Sequence, residues 1–165
     1  MVPGVAVGFE TRLLDHLLSV FRQRHPDDDS SPIELAFHAA IGAHEGQFRR
    51  SGEPYVTHPI AVAQIVAEIG VDATTIAAAL LHDTVEDTAT RLTDISSTFS
   101  PAVAQIVDGV TKLDRLSFDS KEAQQAATVR KMLIAMAKDP RVLIIKLAAQ
   151  QSFSVSHMIR NPMMS

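Results

Sequence analysis

The chain has 165 residues, of which 46% are hydrophobic, so it can bury one sizeable core and is not disordered as a whole. Its formal net charge of -4 argues against broad binding to nucleic-acid phosphates, and the absence of cysteine excludes disulfides and thiolate zinc sites. The longest apolar runs are too short to span a bilayer. We therefore expect a single domain over residues 1–165, located in the cytoplasm, with neither nucleic acid nor a membrane as partner.

Apolar residues recur at helical spacing through the first half of the chain, and glycine, proline and aspartate mark the ends of these segments. Gly70 is placed to end one helix in the left-handed conformation. Asp72 is placed to cap the next helix, which runs into the pair His82-Asp83. The helices predicted here cover residues 9–24, 32–46, 58–69 and 73–83, with a loop over 47–57.

The second half of the chain follows the same pattern. Ser100-Pro101 combines a capping residue with a proline suited to the first helical turn. The predicted helices cover residues 92–98, 101–111 and 121–138, with a loop over 113–120. The residues expected to face inward from the long helix are Val129, Met132, Leu133 and Met136.

The segment after Asp139-Pro140 has two interpretations. Val142, Leu143, Ile144 and Ile145 include enough β-branched residues to suggest a strand. We expect a helix instead, because nothing nearby supplies a partner strand. With this segment the sequence predicts an all-α fold, a bundle of helices.

A dense group of ionisable residues follows a buried-looking apolar run. His82 and Asp83 are adjacent, and Glu86 and Asp87 follow one helical turn later. Imidazole and carboxylate together form a partial ligand set for a divalent metal, and His58 at the start of another helix could join them. The second carboxylate pair could handle water or protons. A capping or buried histidine and a solvated helix end remain the alternatives.

The loop Arg49-Arg50-Ser51-Gly52 is either an ordinary surface loop or an anion-binding loop. Guanidinium groups bind phosphate through two hydrogen bonds and also stack on planar bases. His44 could line the same cleft as His82. The remaining histidines of the first half show no ligand spacing with a carboxylate; they are His16, His25 and His38.

Four ordered motifs resemble the RelA/SpoT homologues, the enzymes that make and destroy the alarmone (p)ppGpp. Their letters are HEGQFRRSGEPYVTHP at 44–59, AALLHDTVEDT at 78–88, DGVTKL at 108–113 and RKMLIAMAKDPRV at 130–142. The resemblance covers about residues 33–148. The third and fourth motifs are more similar to the long bifunctional enzymes than to the small stand-alone hydrolases.

The matching region of that family is an N-terminal HD hydrolase domain, which implies an HD-domain helical bundle. The resemblance further implies a manganese ion held by His58, His82, Asp83 and one later aspartate. It implies that Glu86 and Asp87 assist the attack of water.

The resemblance also implies a substrate and a reaction. Arg49 and Ser51 match the family residues that contact the nucleotide. The reaction would be metal-dependent hydrolysis of the 3′-pyrophosphate of (p)ppGpp to GDP or GTP and pyrophosphate. Two alternatives stay open: an impaired guanine-nucleotide-binding or regulatory module, and an HD phosphohydrolase acting on another nucleotide. The sequence does not determine the oligomeric state.

The end of the chain departs from the family. Where the family reads KLADRLHNMRT, residues 146–156 read KLAAQQSFSVS. By count Ala149 replaces the metal-binding aspartate and Phe153 replaces a substrate-contacting asparagine, and His157 is the one strong candidate ligand in the divergent tail 149–165. We expect manganese as the cofactor, since catalytic metals can be held by three protein ligands, with an affinity lowered by the missing carboxylate, so that the ion is bound weakly or lost. We interpret the tail as a replaced end rather than gradual divergence, and sequencing the gene through Ala148 would test this.

Overall fold

The structure of the protein, a computed structural model, describes residues 3–114, 126–127, 129–131, 133–134 and 138–160. Within these ranges, side chains are described for the residues from 8 to 152. This part of the chain is helical, as the apolar spacing predicts, and its β-type pairing is limited to an isolated bridge between Phe48 and Pro54. None of the described helices is both long and apolar enough to cross a membrane. The helices are α1 (Pro3–Arg24), α2 (Ser31–Ala43), α3 (Thr57–Ile69), α4 (Ala73–Leu81), α5 (Thr84–Asp87), α6 (Leu92–Thr98), α7 (Pro101–Asp114) and α8 (Pro140–Arg160).

The caps predicted from the sequence are confirmed. Asp72 Oδ1 accepts hydrogen bonds from the main-chain nitrogen of Thr75 at 2.9 Å and from its hydroxyl at 2.6 Å. Gly70 ends α3 with φ at 99°, where glycine is favoured. Ser100 Oγ accepts from Val103 N at 3.2 Å. These contacts satisfy main-chain groups that a helix end leaves unpaired.

Three helix ends differ from the prediction by three residues or more. α1 begins earlier, at Pro3, because proline is tolerated in a first helical turn. α2 ends at Ala43, before Gly46, which has φ at 79°. α7 continues to Asp114 because neither proline nor glycine interrupts its last turn, so it includes the start of the predicted loop. The rest of that loop, 115–120, lies outside the described residues.

The last helix settles the ambiguity between strand and helix. Val142 to Ile145 are helical and belong to α8, as expected. Asp139 precedes this helix, and its carboxylate accepts hydrogen bonds from the main chain and the guanidinium of Arg141. The helix also continues past Ala148, so the change in composition there is not accompanied by a break in the backbone.

The core is built around α4. Every residue from Thr75 to Leu81 is buried, and the helix packs against α2, α3 and α7. The run Ala77-Ala78-Ala79 has small side chains, which let neighbouring helices approach closely. This burial on all sides holds the last residue of α4 in a fixed position, directly before His82.

A close contact joins α7 to α8. A Cβ atom placed on Gly109 would lie 2.7 Å from Cγ2 of Val142, closer than real side chains approach. Val142 is itself buried, and as a β-branched residue in a helix it has one strongly preferred rotamer. Glycine is therefore needed for α8 to lie this close to α7.

The predicted inward face of the helix over 121–138 is not confirmed. Its described positions are helical, but Val129 and Leu133 are 57% and 56% exposed, so the prediction that they face inward is wrong. Met132 and Met136 lie outside the described residues. Periodicity identifies which residues share a helix face, but it does not guarantee that another element covers that face.

Candidate metal centre

The end of α4 fixes the orientation of the His82 ring. His82 Nδ1 lies 2.5 Å from the carbonyl oxygen of Ala79, and a carbonyl can only accept, so Nδ1 carries the proton. The other nitrogen, Nε2, then presents its lone pair to the cleft, 3.2 Å from Asp83 Oδ1. This arrangement, with one nitrogen bound to a carbonyl, is the one that metal-binding histidines adopt.

His58 approaches the same point from the first turn of α3. Its Nε2 lies 3.8 Å from Asp83 Oδ2, and its ring centroid is 5.7 Å from that of His82. Burial lowers the pKa of His58 to about 4, and the nearby charge of Arg49 acts in the same direction against that of Asp83. The imidazole is therefore neutral at neutral pH, the state in which histidine binds a metal.

The three donors fit a divalent cation. One ligand atom from each of His58, His82 and Asp83 lies within 4.8 Å of the others. Ligand bonds of about 2.0–2.3 Å place neighbouring donors roughly 3–4.5 Å apart, depending on the angle at the metal. Two imidazoles and one carboxylate also match the mixed nitrogen and oxygen chemistry of catalytic metal sites. The described residues thus hold three ligands of a candidate metal centre.

The second carboxylate pair lies beside these donors. α4 ends at Leu81, and after a turn the chain resumes as the single-turn α5, in which Asp87 N donates to Asp83 O at 3.0 Å. Glu86 lines the same cleft as His82. These two residues therefore lie close together, as predicted, although α4 and α5 are separate helices. Glu86 and Asp87 are exposed to solvent, where they can reach water and substrate.

Tyr55 connects the two carboxylate groups, and the sequence analysis missed it. Its hydroxyl lies 2.8 Å from Asp87 Oδ2 and 3.4 Å from Asp83 Oδ2. Burial, reinforced by the charge of Asp83, raises the pKa of Tyr55 well above its usual value, so the hydroxyl keeps its proton. The signal in the sequence is that this is the single tyrosine of the chain and falls three residues before His58.

A small network behind Tyr55 supports this arrangement. Gln47 Nε2 donates to the carbonyl oxygen of Asp87 at 2.9 Å, and Gln47 Oε1 lies 3.0 Å from Nδ1 of His44. The His44 ring is buried and packs against the Tyr55 ring with centroids 4.9 Å apart. The expectation that His44 could line the cleft is not met, since it packs behind Tyr55 instead.

The loop after α2 forms a tight antiparallel turn. Arg49 N donates to Glu53 O at 2.8 Å, and Gly52 N donates to Arg49 O at 2.9 Å, with φ of Gly52 at 88°. Arg49 lies near enough for its charge to act on His58. Ser51 is exposed, and its hydroxyl accepts from Glu53 N at 3.4 Å. The described structure therefore brings Arg49, but not Ser51, toward the candidate ligands.

The opposite wall of the cleft comes from α7 and α8. Asp114 and Lys146 form an ion pair across these two helices, and both side chains are about three-quarters buried. Ala149 presents a methyl group to the cleft, at the position where the sequence resemblance expects a carboxylate. The cleft has a volume of about 590 Å³ and is lined by His58, His82, Asp83, Glu86, Asp114, Lys146, Ala149 and Gln150.

Residues 36–152 match a protein family described as HD domain. The chain is 47% identical over 136 residues to the "Bifunctional (p)ppGpp synthase/hydrolase SpoT" of Escherichia coli K12, covering 82% of the chain and 19% of that protein. It is 51% identical over 136 residues to the "Bifunctional (p)ppGpp synthase/hydrolase RelA" of Mycobacterium tuberculosis, covering 82% and 18%. The chain therefore spans less than a fifth of the length of these two curated relatives.

A solved structure is similar to the chain as well. It is described by the words "A metazoan ortholog of SpoT hydrolyzes ppGpp and plays a role in starvation responses". The TM-score is 0.57 and the sequence identity 31%, over 76% of this chain and 69% of the solved one. The similarity in sequence thus extends to the arrangement of the helices.

Proposed function

Because the chain belongs to the HD domain family and, within it, to the RelA/SpoT homologues, we propose that it hydrolyses the 3′-pyrophosphate of (p)ppGpp. The products are GDP or GTP and pyrophosphate. The observation that carries the proposal is the convergence of His58, His82 and Asp83 within 4.8 Å in one cleft. The substrate class comes from the similar proteins, whose names describe enzymes that act on guanosine polyphosphates.

The proposed cofactor is manganese, held by His58, His82 and Asp83. When bound, such an ion acts as a Lewis acid and lowers the pKa of water, which favours hydrolysis near neutral pH. Two features favour its binding: burial keeps the His58 imidazole neutral, and Nε2 of His82 is directed toward Asp83. Asp83 supplies the negative charge among these three donors.

Glu86 and Asp87 are proposed to orient the attacking water and to accept its proton. Glu86 lines the cleft, and Asp87 is held beside it through its carboxylate and its main-chain carbonyl. Carboxylates positioned within reach of water contribute roughly 10²–10⁴-fold to such reactions through proton transfer. Both residues lie on α5, directly after the metal ligand Asp83.

Arg49 and Ser51 are proposed to contact the nucleotide. Arg49 extends from the turn that also carries Tyr55, and a guanidinium can both pair with phosphate and stack on the guanine base. Ser51 at the exposed end of the turn would reach substrate that extends beyond the cleft. These assignments rest on the sequence resemblance, and the charge of Arg49 near His58 supports the first of them.

A second function is favoured by one observation, the methyl group of Ala149 in the cleft. With one carboxylate fewer than the family pattern, the site attracts a divalent ion less strongly. A chain whose metal is lost under cellular conditions would bind the guanine nucleotide without turning it over. It would then act as a binding or regulatory module.

The two functions are separated by incubating the purified chain with ppGpp and increasing Mn²⁺. The hydrolase predicts release of GDP and pyrophosphate in equal amounts, complete inhibition by a chelator, and recovery when Mn²⁺ is restored. The binding module predicts saturable ppGpp binding with no pyrophosphate at any Mn²⁺ concentration. Neither binding nor turnover of ppGpp would contradict both, and a panel of other nucleotides would then identify the substrate.

A further inference from the structure

We propose that Tyr55 is a positioning residue that couples the metal ligand Asp83 to the water-orienting Asp87 through one shared hydroxyl proton. This inference rests on the proposed function for the role of Asp87. It goes further in assigning a residue of the loop before α3 to the control of that carboxylate.

The distances show an unequal sharing of one proton. The hydroxyl is 2.8 Å from Asp87 and 3.4 Å from Asp83, and it has only one hydrogen to donate. Asp83 is buried, whereas Asp87 is exposed on the single turn of α5. Two carboxylates this close repel each other when nothing lies between them. The hydroxyl therefore keeps Asp87 at the cleft, where repulsion alone would push it toward solvent.

The turn before α3 fixes the positions of both Tyr55 and Asp87. Tyr55 N donates to Gln47 O at 2.9 Å, and the Gln47 side chain donates to the carbonyl oxygen of Asp87 at 2.9 Å. The phenol ring packs against His44, with centroids 4.9 Å apart, and meets the His58 ring edge-on at 6.5 Å. Since both the ring and the main chain of Asp87 are anchored to the same turn, the hydroxyl has little freedom to find another acceptor.

Binding of a cation at Asp83 would shift the Tyr55 hydroxyl from Asp83 toward Asp87. A carboxylate oxygen near a divalent ion gives up electron density to it and becomes a poorer acceptor. With an ion held by Asp83, the hydroxyl would donate to Asp87 alone and would hold that carboxylate at the cleft. Occupation of the metal site is in this way linked to the orientation of the residue that handles water.

The kinetic test is the substitution Tyr55→Phe, which keeps the ring and removes only the hydroxyl. We expect kcat for ppGpp to fall roughly 10–100-fold, the usual cost of losing a hydrogen bond that orients an active-site group, while KM changes little. The matched control is Thr57→Val in the same segment. It removes a hydroxyl that donates to the carbonyl oxygen of Pro54 and not to a carboxylate of the site. It should leave kcat unchanged, and melting curves would establish that both variants fold.

A double substitution distinguishes coupling from a general structural role. Once Asp87→Ala has removed the acceptor, adding Tyr55→Phe should cost almost nothing further in kcat, because the two residues act as a unit. Losses that multiply independently would contradict the coupling. So would a Tyr55→Phe chain with unchanged kcat.

A spectroscopic test is independent of turnover. The chain has one tyrosine and no tryptophan, so the phenol absorption band in the near ultraviolet reports on Tyr55 alone. Titration with Mn²⁺ should shift this band to longer wavelength in the native chain, because the hydroxyl then donates fully to Asp87. In Asp87→Ala chains that still bind the metal the shift should reverse, because Asp83 is the remaining acceptor and the metal weakens it. A shift in the same direction and of the same size without Asp87 would overturn the inference. If the shift behaves as expected but ppGpp is not hydrolysed, the coupling stands and the proposed substrate fails.

Discussion

The wall of the cleft formed by α3 to α5 carries two imidazoles and the carboxylates of Asp83 and Glu86, whereas the wall formed by α7 and α8 carries an ion pair and the methyl group of Ala149. On the first wall two of the three candidate ligands are contacted by a group behind them: Ala79 O accepts a hydrogen bond from His82, and the Tyr55 hydroxyl lies 3.4 Å from Asp83 Oδ2. On the second wall Asp114 and Lys146 neutralise each other.

From this difference we infer that the first wall supplies and directs the ligands, whereas the second wall adjusts the affinity of the site for the ion. The first wall alone places three donors at metal-binding distance. The second wall determines how much negative charge surrounds the ion, and here it contributes no ligand at position 149. We therefore expect a site with correct geometry and reduced affinity.

Removing a donor from the first wall should have the largest effect. His82→Ala deletes a buried side chain that we propose as a ligand, and it should lower both Mn²⁺ affinity and ppGpp hydrolysis by more than about 100-fold, which exceeds the usual cost of losing a supporting group. The measurements are a metal titration and pyrophosphate release. His16→Ala, at an exposed histidine of α1, is the matched control and should change neither.

Adding a donor to the second wall should have the next largest effect, in the opposite direction. Ala149→Asp places a carboxylate on the cleft and should raise Mn²⁺ affinity and hydrolysis about 10-fold, the scale on which groups at a metal site act. Ala149→Asn is the control, since it has the same shape without the charge. No gain from aspartate in a folded chain would mean that α8 does not lie beside the ligands.

Disturbing the contact between Gly109 of α7 and Val142 of α8, the two helices of the second wall, should mainly affect stability. In Gly109→Ala the new methyl meets Val142 Cγ2 at 2.7 Å, and this crowding exceeds the gain in helix propensity. We expect a net loss of about 1–2 kcal/mol in the free energy of unfolding, measured in urea. Gly42→Ala in α2 meets nothing within 4 Å and should be neutral or stabilising. Equal behaviour of the two variants would contradict the close packing of α7 and α8.

The smallest effect is expected at the cap of α4, which supports the first wall. Asp72→Ala removes the acceptor for Thr75 N and should cost about 1 kcal/mol of stability. Asp72→Asn keeps a capping oxygen and should cost much less. Thermal melting curves of the two variants give the comparison, and identical melting temperatures would show that the cap contributes nothing.

The fold was largely predictable because its signals are local. Gly70, Asp72 and Ser100 end or cap helices through contacts within a few residues, and the sequence shows those contacts directly. The exposed positions Val129 and Leu133 were not predictable, because burial depends on which distant element covers a face. The extent of the domain over 1–165 stays a prediction.

Those residues of the site that lie in recognisable sequence motifs could be predicted. His58, His82 and Asp83 were singled out as ligands and the structure brings them together. Tyr55 and the pair Asp114–Lys146 were not, because their importance depends on distances between segments far apart in sequence. A hydroxyl that contacts two carboxylates has no periodicity or spacing that marks it in the chain.

The most direct test of this account is the anomalous diffraction of manganese in crystals of the chain. We predict one strong peak at about 2.0–2.3 Å from His58, His82 and Asp83, the range of ordinary ligand bonds. The peak should be partly occupied at low Mn²⁺ and full in Ala149→Asp. Saturating Mn²⁺ with no peak between these three residues would contradict the central claim that the first wall is a metal site.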